Sequence, residues 1–216
     1  MTTLVEGLRR RSRHIDAIRS PGRVCVFGGS KQADEGEIAD SAVELGRLLA
    51  LEGIGLVYGG EEGDLTGSVA RAAAENGGMV TAVVQQASTY PRNSGYFADE
   101  VVVVPGFQAR KRAMFDRADV LIALPGGVGA IEELSEVIAL HKDEPGSKPL
   151  LIANFGRCWS PLFDLFMYLR CSGYICGEGL EKCLLIERPQ AVLSTLHALL
   201  APRADMQVEA RMAAFA

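Results

Sequence analysis

Short apolar runs alternate with longer segments of helical periodicity along most of the chain. Continuous apolar runs of this kind are typical of strands that are buried on both faces of a sheet. The first run lies in RVCVFGGS and ends in a glycine turn. The other predicted strands lie in IGLVYGG, MVTAVVQ, EVVVVP, DVLIALPGG, KPLLIANF and, as a short last strand, CLLIERP.

The segments between these runs predict helices. In GEIADSAVELGRLLALEG, apolar residues recur at helical spacing, and Gly53 follows as a C-terminal cap. The polar, turn-rich segment QASTYPRNSGYFAD instead predicts a surface loop. The other predicted helices lie in DLTGSVARAAAENGG, FQARKRAMFDRA, IEELSEVIALHKD, SPLFDLFMYLRCSG and QAVLSTLHALLA.

Strands that alternate with helices predict right-handed βαβ units and hence a parallel sheet. We therefore expect an α/β fold with one Rossmann-like, doubly wound domain over residues 21–201. Its mostly parallel sheet would have about six or seven strands, flanked by helices. Residues 1–20, which include LRRRSRHIDAIRS, predict a basic helical extension, and residues 202–216 predict a C-terminal tail.

Composition and charge narrow the function classes. The chain has 216 residues and a net charge of -5, which argues against nucleic acid as a partner because domains that bind it are usually basic. No apolar run is long enough to predict a membrane span. The five cysteines are an odd number without a CxxC pair, which favours a reducing, cytoplasmic setting. No histidine lies at ligand spacing from the cysteines, so no metal site is predicted.

Glycine clusters follow three of the predicted strands. They are Gly28-Gly29-Ser30, Gly59-Gly60, and Gly126-Gly127 with Gly129. Glycine at the carboxyl end of a parallel strand lets the backbone approach a phosphate, and the following helix contributes N–H donors. Together the three turns predict a phosphate-bearing ligand, although a tight strand-to-helix turn accounts for each one alone. The first strand is not followed by GxGxxG and the sequence has no Walker loop, which disfavours NAD binding and ATP hydrolysis.

Several motifs resemble those of one family. PGGVGAIEE at 125–133 resembles P-G-G-x-G-T-x-x-E, LVYGGEEGDLTG resembles L-V-Y-G-G-G-x-x-G-L-M-G, and FQARKRAM resembles M-H-x-R-K-x-x-M. These patterns are typical of the Lonely guy (LOG) family of cytokinin riboside 5'-monophosphate phosphoribohydrolases, long labelled lysine decarboxylases. The resemblance covers residues 23–176 and indicates a divergent member of the family.

The resemblance implies hydrolysis of the N-glycosidic bond of a nucleoside 5'-monophosphate, such as a cytokinin riboside monophosphate, to a free base and ribose 5-phosphate. It implies catalytic roles for Arg110 and Glu133 and no cofactor, pyridoxal phosphate included. It also implies a homodimer that pairs through helices near the signature, where MFDRA and EVIAL supply apolar residues. The substrate-binding residues expected from the resemblance and the glycine turns are Gly28, Ser30, Gly59, Gly60, Lys111, Gly126, Gly127, Gly129, Ala130 and Glu132.

A carboxylate just past a glycine-rich turn fits this chemistry. Cleavage passes through an oxocarbenium-like state, which an ionised carboxylate stabilises while the glycines and the helix N-terminus hold the phosphate. Taken alone, however, Glu132 and Glu133 are also typical acids of a first helical turn. Likewise, the run Arg110-Lys111-Arg112 is typical of a solvated helix face.

Departures from the family pattern leave a second function class open. Ala130 replaces the signature threonine, and Glu61, followed by Glu62, replaces the third glycine of the second turn. Two acids near a phosphate repel it unless they point away or meet a cation. The alternative function is a non-catalytic carrier of a phosphorylated ligand, similar to the molybdenum-cofactor carrier proteins, which resemble this family.

Overall fold

A computed structural model describes residues 22–29, 36–86, 97–143, 147–175 and 177–200. The predicted N-terminal extension at 1–20, the predicted tail at 202–216 and Ser30 lie outside the described residues. So does most of the segment predicted as a surface loop, between residues 87 and 96.

The described residues form a parallel sheet of seven strands with helices on both faces. The predicted doubly wound α/β fold is therefore confirmed, and each predicted strand and helix in the described ranges is present. The strands are β1 (Arg23–Gly28), β2 (Gly55–Tyr58), β3 (Val80–Gln85), β4 (Glu100–Val104), β5 (Val120–Leu124), β6 (Leu150–Ala153) and β7 (Cys183–Ile186). The helices are α1 (Glu37–Leu51), α2 (Leu65–Glu75), α3 (Phe107–Asp116), α4 (Val128–Asp143), α5 (Ser160–Cys171) and α6 (Pro189–Leu200), with 3-10 turns at Phe155–Arg157 and Gly177–Lys182.

Two apolar cores lie on opposite faces of the sheet. Helices α1, α2 and α6 pack on one face, where Leu45 and Leu49 are fully buried against β1 and β2. Helices α3 and α4 cover the other face, where Met114 and Val137 are buried. Alternate residues of a strand point to opposite faces, so the continuous apolar runs seen in the sequence supply both cores at once.

Strand β4 departs from the expectation that every apolar run is buried on both faces. It lies at one edge of the sheet and pairs with β3. Val101 and Val103 are 40% and 61% exposed. An edge position cannot be read from an apolar run, because it depends on the order in which strands assemble.

The strand order β4-β3-β2-β1-β5-β6-β7 places the topological switch point between β1 and β5. From β1 the chain proceeds outward to β4, then returns to the other side of β1 and proceeds to β7. Gly28 pairs with Leu124 in the register of this central pair, so the turns after β1 and β5 leave the sheet side by side. A crevice outside the carboxyl ends of two such strands is the usual ligand site of doubly wound folds.

Helices α1 and α2 approach each other closely at Gly46. A Cβ atom added there would stand 2.2 Å from the carbonyl oxygen of Val69 and 3.0 Å from the Cβ of Ala72. Because the first of these atoms belongs to the backbone of α2, a side chain at this position would force the two helices apart.

We expect Gly46→Ala to lower the free energy of unfolding by about 1–3 kcal/mol, as overpacked cores do. Alanine is normally the better helix former by roughly 0.8–1 kcal/mol, so the sign of the effect separates packing from propensity. Denaturant unfolding measures both variants, with Gly129→Ala as the control because Gly129 is helical and has no atom within 4 Å of an added Cβ. Equal stabilisation by both substitutions would contradict the close helix contact.

Candidate functional site

The turn after β1 and the turn after β5 are in backbone contact. Gly28 has a φ of 83°, and a Cβ there would stand 2.8 Å from the carbonyl oxygen of Leu124. A Cβ on Gly126 would stand 3.0 Å from the backbone nitrogen and oxygen of Gly29 and 2.6 Å from the Cβ of Ala130. Both glycines are therefore required by close approach, which brings the backbone of the two predicted turns to one place.

Helix α4 begins directly above this contact. Its first ladder bond is donated by Ile131 to the carbonyl of Gly127, at 3.1 Å, so the N–H groups of the residues before Ile131 have no acceptor within the helix. Gly127, Val128 and Gly129 are exposed, whereas Ala130 is buried. An exposed helix N-terminus with free N–H groups can bind an anion such as phosphate.

Glu133 lies one turn further along α4 and reaches back to the turn after β1. Its Oε2 accepts a hydrogen bond from the N–H of Gly28 at 3.2 Å. Burial raises the pKa of the Glu133 carboxyl, while the Gly28 N–H and the charges of Lys111 and Arg110 act in the opposite direction. Glu133 is thus a partly buried carboxylate held at the switch point and coupled to two cations.

Arg110 approaches the same crevice from α3. Its Nη1 donates to the carbonyl of Gly59 at 3.2 Å and lies 3.4 Å from Oε1 of Glu61. The guanidinium also stands 5.4 Å from the ring centroid of Phe107, within the range of a cation–π contact. The structure therefore brings Arg110 to the turn after β2, within electrostatic reach of Glu133.

Lys111 is buried and is engaged by carboxylates of α4. Its Nζ lies 3.0 Å from Oε1 of Glu132 and also forms a short contact with Glu136. Burial acts to lower the pKa of Lys111, but the bonds and charges of Glu136 and Glu132 together outweigh it and raise this pKa. Lys111 and Glu132, both predicted to bind substrate, thus contact each other and tie α3 to α4.

The neighbouring Arg112 behaves differently. It is exposed and lies 3.7 Å from Asp116 along the same helix. The interpretation of the basic run as a solvated face therefore fits Arg112, whereas Lys111 is buried and the Arg110 side chain keeps 14% of its surface exposed.

Asp64 belongs to this site although the motifs did not single it out. It caps α2: its Oδ1 accepts from the N–H of Gly67 at 2.9 Å and from Oγ1 of Thr66 at 2.7 Å. Its Oδ2 lies 3.3 Å from where a Cβ of Gly29 would stand, so the β1 turn also packs on the β2 turn. Burial raises the pKa of Asp64. An aspartate just before an apolar helical run is an N-cap signal that could have identified this residue.

The glycine turns after β1 and β5 therefore touch through their backbones, and the turn after β1 also contacts the Asp64 side chain beyond the turn after β2. Gly60, with a φ of 78°, is buried in the turn after β2, next to Gly59. Glu133 contacts the turn after β1, and Arg110 contacts the turn after β2. These features define a doubly wound α/β protein whose switch point brings together an exposed helix N-terminus, a carboxylate and a guanidinium.

Comparison with known proteins identifies the family. Residues 66–196 match the family model described as "Possible lysine decarboxylase". The chain is 36% identical over 170 residues to the probable cytokinin riboside 5'-monophosphate phosphoribohydrolase LOGL1 of Oryza sativa subsp. japonica, covering 79% of this chain and 75% of the relative. It is 34% identical over 170 residues to the cytokinin riboside 5'-monophosphate phosphoribohydrolase LOG4 of Arabidopsis thaliana, covering 79% and 78%. The chain therefore belongs to the LOG family.

Solved structures agree on the fold. The molybdenum cofactor carrier protein from Chlamydomonas reinhardtii superposes with a TM-score of 0.62 at 24% identity, covering 85% of this chain and 100% of that one. The molybdenum cofactor binding protein from Rippkaea orientalis gives a TM-score of 0.61 at 18% identity, covering 85% and 99%. At these identities the likeness concerns the fold alone. Within the described part of the chain, no helix has both the length and the apolarity that crossing a bilayer requires.

The raised pKa of Glu133 predicts a pH-dependent stability. A carboxyl whose pKa is higher in the folded than in the unfolded state destabilises the fold once it is ionised. The penalty is absent below the unfolded-state pKa of about 4.3 and complete above the folded-state pKa. We therefore expect Glu133→Gln, which retains an acceptor for Gly28, to raise the free energy of unfolding at neutral pH and not at acidic pH.

Glu44→Gln provides a control of opposite sign. A hydrogen bond from Arg47 lowers the pKa of Glu44, so this variant should lose stability at neutral pH and converge with the wild type in acid. Thermal unfolding from pH 3 to pH 8 tests both variants. A Glu133→Gln variant that is less stable than the wild type at neutral pH would show that the Gly28 bond outweighs the cost of burial.

Proposed function

We propose that the protein hydrolyses the N-glycosidic bond of a nucleoside 5'-monophosphate, releasing a free base and ribose 5-phosphate. The observation that carries the proposal is Glu133, bonded to the Gly28 turn at the N-terminus of α4 and electrostatically coupled to Arg110. Relatives that share about a third of the sequence are named for this reaction on cytokinin riboside 5'-monophosphate, which supports a substrate of the same class.

In this proposal the anion and the developing cation of the substrate are bound by different parts of the crevice. The free N–H groups at the start of α4, with the backbone of Gly126 and Gly127, receive the phosphate. Ala130 contributes its backbone N–H and no hydroxyl. The turn after β1, with Gly28, brings its backbone to the same place, and Gly59 and Gly60 border the crevice beside Arg110.

Glu133 then faces the anomeric carbon of the ribose. As the bond to the base lengthens, positive charge develops on the sugar, and an ionised carboxylate stabilises it and orients or deprotonates the attacking water. Arg110 holds phosphate or sugar oxygens with guanidinium donors that Gly59 and Glu61 leave unused. Electrostatic stabilisation of this kind is usually the largest single contribution of an enzyme site.

Lys111 and Glu132 support this arrangement indirectly. We assign to them the task of fixing α3 against α4, because the Lys111 ammonium is already engaged by Glu132 and Glu136. Since Arg110 precedes Lys111 on α3 and Glu133 follows Glu132 on α4, this bridge sets the distance between the two proposed catalytic side chains.

The carrier alternative rests on Ala130 and Glu61. The missing hydroxyl and the added acid both weaken the binding of a phosphate, and either change fits a different ligand. A panel of nucleoside 5'-monophosphates, including isopentenyladenosine monophosphate, assayed for released base and ribose 5-phosphate distinguishes the two functions. Ligand binding without base release would support the carrier.

For the enzyme we expect Glu133→Gln to lower kcat by at least a hundredfold, the lower end of what a positioned acid–base group contributes. Binding of ribose 5-phosphate should persist, because glutamine keeps the shape and the acceptor for Gly28. Glu75→Gln, at the exposed end of α2, is the matched control and should be as active as the wild type. Near-normal turnover by Glu133→Gln would remove the proposed role of this carboxylate.

We also propose a reducing, cytoplasmic location. Cys25, Cys158 and Cys171 carry free thiols, and two of the three are exposed. Exposed free thiols persist in a reducing compartment and are easily oxidised outside it.

A homodimer is proposed as well, with a different surface from the one expected in the sequence. Met114 and Val137, from MFDRA and EVIAL, are buried in the core, and Phe115 stacks edge-on against Phe27 with ring centroids 5.5 Å apart. These apolar residues therefore pack on the sheet. Helix α5 is the better candidate, because it is rich in apolar residues and none of its twelve residues is buried.

We expect light scattering to show a dimer and Leu165→Glu to dissociate it. Leu165 lies on α5 with 49% of its surface exposed, and a charge in an apolar interface is strongly unfavourable. Leu51→Glu is the control, since Leu51 ends α1 and is 61% exposed. A monomeric wild type would contradict the dimer, and a dimeric Leu165→Glu variant would exclude α5 as the interface.

A further inference from the structure

Glu61 places its carboxylate beside the guanidinium of Arg110, which is the cation on which the proposed ligand site depends. Oε1 of Glu61 lies 3.4 Å from Nη1 of Arg110. The Glu61 side chain keeps 55% of its surface exposed, whereas that of Arg110 keeps 14%. When the pair separates, the exposed Glu61 side chain can therefore turn into solvent, whereas the mostly buried Arg110 side chain keeps its position.

Arg110 does not need Glu61 to remain in place. The same Nη1 donates to the carbonyl of Gly59, and the guanidinium rests over the ring of Phe107. The backbone of Glu61 packs closely on α2, because a Cβ on Gly67 would stand 2.4 Å from the Glu61 carbonyl oxygen. Separation of the pair thus requires a rotation of the Glu61 side chain and no rearrangement of the turn.

The charges around the crevice give this pair its importance. Lys111 is already engaged by Glu132 and Glu136. Two cations, Lys111 and Arg110, act on Glu133, and of these Arg110 is the one that a ligand could bind. Without a ligand, Arg110 is paired with the Glu61 carboxylate. A phosphate or a charged sugar phosphate that binds Arg110 must compete with this internal anion.

We propose that Glu61 is an internal competitor of the ligand: its carboxylate occupies Arg110 in the free protein and is displaced when a phosphorylated ligand binds. Glu61 thereby sets the affinity of the crevice for anions. The inference rests on the proposed function for the class of ligand, a sugar phosphate, and does not depend on turnover.

The test is calorimetric titration of the full-length protein with ribose 5-phosphate. Glu61→Gln keeps the shape and an acceptor but removes the charge, so we expect affinity to rise about twofold to fivefold, the range of a partly exposed ion pair. Glu62→Gln is the matched control, because within the described residues Glu62 forms no ion pair with Arg110. It removes the same charge one residue away and should leave affinity nearly unchanged.

A double-mutant cycle shows whether the effect passes through Arg110. In an Arg110→Gln background, Glu61→Gln should no longer raise the affinity, since there is no cation left to release. An equal gain in both backgrounds, or an equal gain from Glu62→Gln, would mean general charge repulsion and would overturn the proposal. Weaker binding by Glu61→Gln would overturn it too, because Glu61 would then assist the ligand.

Turnover separates this inference from the proposed function. If the protein is active, Glu61→Gln should lower KM and leave kcat nearly unchanged, because the released Arg110 serves substrate and transition state alike. If the protein releases base but Glu61→Gln binds ribose 5-phosphate no more tightly, the role of Glu61 as a competitor is refuted and the proposed enzyme function is kept. Tighter ribose 5-phosphate binding without base release in any variant would retain the competitor and refute the enzyme. If ribose 5-phosphate binds neither the wild type nor Glu61→Gln, the competitor is refuted as well.

Discussion

The site depends on the backbone contact between the turn after β1 and the turn after β5. A Cβ on Gly28 would stand 2.8 Å from the Leu124 carbonyl oxygen and one on Gly126 3.0 Å from the Gly29 backbone, so the two turns approach this closely only without side chains there. Gly28, Gly29 and Gly126 meet this condition. The contact places the N-terminus of α4 over the turn after β1, and Glu133 completes it by accepting the Gly28 N–H. The groups proposed to bind an anion therefore lie beside the carboxylate because of the strand order.

The second constraint is the buried ammonium of Lys111. A buried cation is tolerated when carboxylates engage it, and here both come from the neighbouring helix. Removal of one carboxylate still leaves the other, so the bridge between α3 and α4 is shared between Glu132 and Glu136. Because Arg110 and Glu133 adjoin this bridge in sequence, we expect these three charged residues to set the spacing of the two side chains proposed to act in the reaction.

The sequence predicted the elements well because apolar periodicity is a local property and all the strands share one pattern. The glycine turns and the family motifs then placed Arg110, Glu133 and Gly126 near one crevice. The features that the sequence could not predict depend on how the strands and helices pack together. The exposure of β4 follows from its position at the edge of the sheet. The burial of Lys111 depends on a carboxylate from another helix, and the place of Asp64 in the site depends on its packing against Gly29. Each of these requires two segments that are distant in sequence.

The two main departures from the family pattern act on the same quantity. Ala130 is buried between the turn glycines and has no hydroxyl, so in the proposed site it offers an anion only its backbone N–H. Glu61 meets the Arg110 guanidinium, the cation that a phosphate would also bind, so the added acid competes for that cation in the proposed site. Neither change disturbs Glu133 or its bond to Gly28. In the proposed site the two departures thus alter groups that would meet the anion, while the carboxylate proposed to act in the reaction keeps its bond to Gly28.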